Sequence, residues 1–316
     1  MNRPRIVSLL PAATEIACAL GATGDLVGIS HECDFPAELA GIPVLTSSRV
    51  SNSASSGAID VAVRALVEDA LSIYSVDQRF LAELSPDLIL TQDLCRVCAV
   101  SLRDVQSAVA RLAQRTEVQI VSLQPTRLVH VMQDIETVAR ALGRPERGRE
   151  LRAELEARIA LIAERARQAR SRPRVASVEW LEPLMLGGTW MPELIELAGG
   201  EAVAARAGEP APTLSLAQFA ALRADVVLIK PCGFDVQRTL RERDLIDASL
   251  LSQLMPSARA YVTDGNAFFN RPGPRLVESL EILAALIQPE LFADFELKHR
   301  SVLLRLPTPG VPLNLC

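Results

Sequence analysis

The stretch RIVSLLPAATEIACALG, residues 5–21, decides how the rest of this chain is read. Ile6, Val7, Leu9 and Leu10 make a short apolar run of strand length, and Pro11 closes it. From Ala12 to Gly21 the pattern is that of a helix, ended by glycine. Two arginines precede the apolar residues, as in a secretory leader, but Pro11, Thr14 and Glu15 interrupt the run. The segment therefore reads as a first strand, a turn and a helix, the opening of an α/β layer.

The same alternation continues outward. DLVGIS (25–30), DLILT (87–91) and VQIVSL (118–123) read as further strands, with the helical segment VDQRFLAEL before the second of them. SSRVSNSASSG (47–57) is a Ser-rich loop. From Thr126 to about Arg170 the pattern becomes a long, charged, apolar-striped helical stretch, in which Gly143 and Pro145 mark a kink or a helix end. PRVASVEW (173–180), DVVLIK (225–230) and ARAYVTD (258–264) are then strands, with helices near 191–198, 215–222, 246–253 and 274–287. The expected fold class is α/β, two Rossmann-like lobes with central sheets, joined by a long α-helix and enclosing a ligand cleft. The expected boundaries are 1–125, 126–171 and 172–316.

A chain of 316 residues exceeds the size at which one core usually stops growing, which agrees with two lobes. Hydrophobic content of 49% against 22% charge excludes a disordered chain. The net charge of −5 leaves no basic footprint for a phosphate backbone, so nucleic acid is excluded as a partner. No segment approaches about 18 uninterrupted apolar residues, so no membrane span is expected. As written the chain reads as cytoplasmic, and as periplasmic if a leader has been removed.

In open α/β sheets ligands sit outside the carboxyl ends of the strands, so the residues that follow each run are the site candidates. After RIVSLL come Pro11 and Thr14, in a turn whose amides suit a polar or anionic group. After DLVGIS come His31, Glu32 and Cys33, and after DLILT come Gln92, Asp93, Cys95 and Cys98. In the second half the candidates are Glu179, Trp180, Trp190, Cys232, Phe234, Phe269 and Arg271. Trp180 and Trp190 are expected to stay partly exposed, beside Gly187 and Gly188 where a ligand can approach the backbone.

Four of the six cysteines fall in this set. The spacing of Cys95 and Cys98 lets both thiolates reach one ion, and with Cys33 and Cys232 they form a candidate site for zinc or an iron–sulfur cluster, with His31 beside it. Against this, a second closely spaced cysteine pair is missing, and single cysteines such as Cys18 serve as small buried hydrophobes.

The segments RIVSLLPAATEIACALG, LVGISHECDFP, DLILTQDLCRVC, VASVEWLEPLMLGGTWMPELIELAGG, DVVLIKPCGF and DGNAFFNRPGPRLVESLEILA cover nearly the whole chain to about residue 290. Together they resemble the class III substrate-binding proteins of ABC transporters, in their cobalamin-binding branch. The cysteine motifs resemble only a cytoplasmic-looking subgroup of it. The resemblance implies lobes bridged by a rigid helix and a cleft lined by Trp180, Trp190, Phe234, Phe268 and Phe269, whose flat faces suit a corrin ring. It also implies cobalamin or a related corrinoid as ligand and an ABC transporter permease as partner.

The leading expectation is therefore a binding protein that performs no chemistry on its small-molecule ligand. The alternative is a cytoplasmic metalloprotein with redox or thiol-dependent activity, in which Glu32, Asp93 or Glu179 act as acid or base. No phosphate-binding glycine loop, dinucleotide fingerprint or Ser-His-Asp order is present, which removes NTPase, dehydrogenase and hydrolase readings.

Overall fold

Strand β1 is Ile6–Ser8 and helix α1 is Pro11–Ala19 in the computed structural model, which describes residues 3–68, 74–92, 118–254 and 257–307. Pro11 stands at the first helical position, where its fixed φ is pre-set and its missing N–H costs nothing. Ala12, Ala13, Ile16 and Ala17 are buried, so α1 packs on small side chains. The helix ends at Gly21 in the left-handed region, φ +78°, with the Ala22 amide bonded back to the carbonyl of Ala17. Arg144 closes this end, donating to the Leu20 carbonyl at 2.9 Å and to the buried Asp25 carboxylate at 2.7 Å.

The chain divides into two compact units, and each is taken by itself. The first comprises Met1–Ala54, Ala58–Pro125 and Val129–Glu154. Its described strands β1, β2 (Leu26–Ile29), β5 (Leu88–Gln92) and β6 (Gln119–Leu123) form a parallel sheet in the order β2-β1-β5-β6. Val7, Leu9, Leu45, Leu81 and Ile89 make its core. A separate antiparallel pair, β3 (Thr46–Ser48) and β4 (Tyr74–Val76), was not expected. β3 is polar throughout and β4 is only three residues, Tyr74, Ser75 and Val76, too short for a strand pattern to stand out. Helices α2 (Ser56–Glu68) and α3 (Gln78–Leu84) follow β3 and β4, and the Asp77 side chain caps α3 by accepting from the Phe80 amide.

The charged stretch after Thr126 is two helices, α4 (Leu128–Ala141) and α5 (Pro145–Ala166). Gly143, at φ +68°, and Pro145 make the break. Along α5, residues to Glu154 group with the first unit and those from Leu155 with the second.

The second unit comprises Ser55–Gly57, Thr126–Leu128 and Leu155–Cys316. Its sheet runs β12-β11-β10-β7-β8, with β9 (Glu201–Ala202) also on β7. β7 is Arg174–Trp180, β8 Met185–Leu186, β10 Val226–Ile229, β11 Arg259–Thr263 and β12 Leu303–Arg305. The centre β7-β10-β11 is parallel, and β8 and β12 pair antiparallel with it. All four residues of β10 are fully buried, as a central parallel strand covered on both faces requires. Helices α6 (Met191–Leu197), α7 (Leu216–Ala221), α8 (Val236–Leu240), α9 (Leu276–Ile287) and α10 (Ala293–His299) complete the unit. Ser215 and Gln218 form a reciprocal capping box at α7. The stretch 246–253 is a π turn followed by a 3-10 turn rather than a continuous α-helix.

Candidate functional site

Beyond the carboxyl ends of β1 and β2 the first unit assembles a polar network. The Thr14 hydroxyl donates to Ser8 Oγ at 2.8 Å and lies 3.0 Å from Cys33 Sγ, all three side chains being buried. His31 is anchored twice by Thr46, whose Oγ1 accepts from the His31 amide at 3.0 Å and meets Nδ1 at 2.6 Å. Thr46 donates in turn to Ser30 Oγ. The imidazole leans on the Tyr74 ring at 5.1 Å, and its Nε2 lies 3.2 Å from a Glu32 carboxylate oxygen. That contact is not aligned for hydrogen bonding, so Nε2 is a buried ring nitrogen without a hydrogen-bond partner among the described residues. Pro11 is half-buried at the start of α1 and Gln92 is buried at the end of β5. Asp93, Cys95 and Cys98 lie outside the described residues.

At the strand ends of the second unit one residue organises the others. Lys230 follows β10 and is wholly buried, and a charge there is tolerated only because it is paired. Its ammonium donates to Glu179 Oε2 at 3.0 Å and to Asn270 Oδ1 at 2.7 Å, joining the end of β7 to the loop after β11. The Asn270 amide donates back to the carbonyl of Gly265 at 2.8 Å. Trp180, half-buried, meets the Phe234 ring at 5.2 Å and donates its indole N–H to the Glu182 carbonyl. The Arg238 guanidinium lies 3.8 Å from the Phe234 centroid and pairs with the buried Glu242 at 3.0 Å. Arg271 donates to Asn266 Oδ1 at 2.9 Å. Asp264 accepts from the amides of Asn266 and Ala267; burial pushes its carboxyl up and those two bonds oppose the shift.

Two expectations are corrected. Trp190 is 5% exposed, with its indole N–H on the Phe269 carbonyl at 2.7 Å, because the start of α6 needs a large side chain to seat the loop after β11. Gly188 leaves room for the protein's own backbone: a Cβ there would stand 2.5 Å from the Ala211 nitrogen and 2.6 Å from the Glu209 oxygen. Phe234 and Phe269 are buried as well, whereas Phe268 is half-buried.

Cys33 is buried after β2, and Cys232 is half-buried after β10, its amide bonded to the Glu179 carbonyl. Among the described residues no three His, Cys, Asp or Glu side chains gather to hold a metal ion. The expected zinc or iron–sulfur site thus finds no support there, and two of its four cysteines lie outside the described residues. Lys230, Asn270, Thr46 and Tyr74 were missed as candidates. Lys230 carried a signal, a lone charge ending the apolar run DVVLIK. No helix among the described residues is long and apolar enough to cross a membrane.

The profile of the family described as periplasmic binding protein matches residues 6–259. A vitamin B12-binding protein of Yersinia pestis is 27% identical over 276 residues, 86% of this chain and 82% of that protein. Among solved structures, a periplasmic heme-binding protein from Pseudomonas aeruginosa aligns with a TM-score of 0.67 at 18% identity, over 97% of this chain and 96% of its own. The periplasmic vitamin B12-binding protein of Vibrio cholerae aligns with a TM-score of 0.61 at 19% identity, over 90% and 97%. At such identities the two structures speak for the fold.

Proposed function

The chain belongs to the periplasmic binding protein family, and from that premise we propose that it captures cobalamin or a related corrinoid as the substrate-binding protein of an ABC transporter. The observation that carries the ligand class is the likeness to a vitamin B12-binding protein across 86% of the chain. The strand ends support it, since each unit brings polar and aromatic groups to that edge of its sheet. In the first unit the groups available to a ligand are Pro11, His31 and Glu32, whereas Thr14 and Gln92 are buried. In the second they are Glu179 and Trp180, with the buried Phe234 ring against Trp180. The protein performs no chemistry on the ligand and hands it to a membrane permease. The family supports a periplasmic location, and nothing found favours a cytoplasmic one.

The test is titration calorimetry with cyanocobalamin, heme and a ferric siderophore in parallel. Cyanocobalamin binds one to one with a Kd of about 1 μM or tighter, about −8 kcal/mol or more, and quenches Trp180 fluorescence. Binding of heme or the siderophore with no corrinoid bound refutes the ligand assignment. Binding of none of the three refutes the class.

A further inference from the structure

The cations at the strand ends of the second unit are engaged by the protein itself. Lys230 is held by Glu179 and Asn270, Arg238 by Glu242 and the Phe234 face, and Arg271 by Asn266. Arg275 lies over the Phe268 ring at 5.5 Å. Glu179, in contrast, uses only Oε2 on Lys230; no described residue donates to its Oε1, and the side chain is 30% exposed. The exposed Glu182 stands three residues on, beyond Trp180. This edge therefore offers acceptors to a ligand and commits its cations inward.

We propose that Lys230 and Glu179 set the charge preference of the site, so that it takes a tetrapyrrole with a neutral, amide-bearing periphery and discriminates against one bearing carboxylates. This rests on the function proposed above and narrows its ligand. Lys230 is a positioning residue: it holds Oε2 of the Glu179 carboxylate and leaves Oε1 to accept from an incoming amide N–H. An amide at that point gains a charge-assisted hydrogen bond, and a carboxylate there meets an oxygen that cannot donate. Corrinoid amides satisfy this and heme propionates do not. Discrimination by an unpaired polar group is also sharper than discrimination by apolar fit.

The experiment compares cyanocobalamin with its monocarboxylic acid derivatives, in which one peripheral amide is replaced by carboxylate. The wild-type protein is expected to prefer the parent over at least one of the acids by about tenfold. Glu179→Gln leaves the Lys230 charge uncancelled, so the preference falls about tenfold or inverts. Glu179→Gln combined with Lys230→Met removes both charges and restores part of the preference. A merely structural role would weaken parent and acids alike. An unchanged ratio in Glu179→Gln, with the variant folded by circular dichroism, overturns the proposal while leaving corrinoid capture standing. If the Lys230→Met variants do not fold, the partly exposed Glu179→Gln decides alone. A wild-type protein that binds heme and no corrinoid overturns both readings.

Discussion

The indole N–H of Trp190 donates to the carbonyl of Phe269 at 2.7 Å, and both residues are buried. One bond thereby ties the start of α6 to the loop after β11. Phe269 sits at φ +66°, where bulky residues are rare, and its own amide is held by Ser279 Oγ at 2.9 Å. The strained turn persists because it is gripped on both sides.

Replacing Trp190 by Phe keeps an aromatic in the space and deletes the donor. The buried Phe269 carbonyl then loses its partner, which costs about 1–3 kcal/mol. Urea unfolding should show the midpoint lowered with the slope unchanged. A midpoint equal to wild type would mean the bond does not hold the loop.

Gly265 packs its α-carbon against the end of β10: a Cβ there would stand 2.2 Å from the Pro231 oxygen and 2.6 Å from that of Lys230. Both are backbone atoms and cannot turn aside. Gly265→Ala is therefore expected to destabilise by about 1–3 kcal/mol, the usual cost of overpacking, and to weaken cyanocobalamin binding through the displaced Lys230. Thermal melting and titration calorimetry read the two effects.

Glu281 on α9 accepts from Arg158 at 2.8 Å, Lys298 at 2.6 Å and the His299 ring at 2.8 Å. Burial alone would push its carboxyl up, but the bonds from His299, Lys298 and Arg158 outweigh it and hold the group at about 2. The folded pKa lies below the unfolded one, so this contribution is complete above about pH 4.5 and is lost as pH falls towards 2. Glu281→Gln should cost on the order of 2–3 kcal/mol at pH 7 and progressively less below pH 4. Denaturant unfolding across that range checks it, and a pH-independent gap would contradict the network's role.

Asp134 on α4 shows the opposite sign. Burial raises its carboxyl to about 7, and Oδ2 has no hydrogen-bond partner among the described residues. The folded state holds the proton more tightly than the unfolded chain, so ionisation costs stability as pH rises from about 4 to 7. Asp134→Asn is expected to stabilise by about 1–3 kcal/mol at pH 8, after allowance for partial solvent access. The gain should vanish by pH 4. Equal stability at pH 8 would show that the carboxylate is solvated.

The order of strands and helices is legible in the chain because it depends on local pattern. Apolar runs such as Val226–Ile229 have strand length and are bounded by charge and proline, and the break at Gly143 and Pro145 follows from backbone geometry at those two residues. The strand-end positions of His31, Glu179 and Trp180 come from the same pattern, since ligand groups in such sheets follow the runs.

Tertiary structure decided which of these side chains stay accessible and what they hold. Trp180 and Trp190 read alike in sequence, yet Trp190 is consumed by a carbonyl 79 residues away and Trp180 stays half-buried. Lys230 reads as a strand-end charge and becomes a wholly buried link between residues 51 positions before it and 40 after it. The pairing of β3 with β4 also rests on partners distant in the chain. Periodicity reports which face of an element seeks the core. Hydrogen bonds and ion pairs instead reward particular partners, whose approach depends on how non-adjacent segments pack.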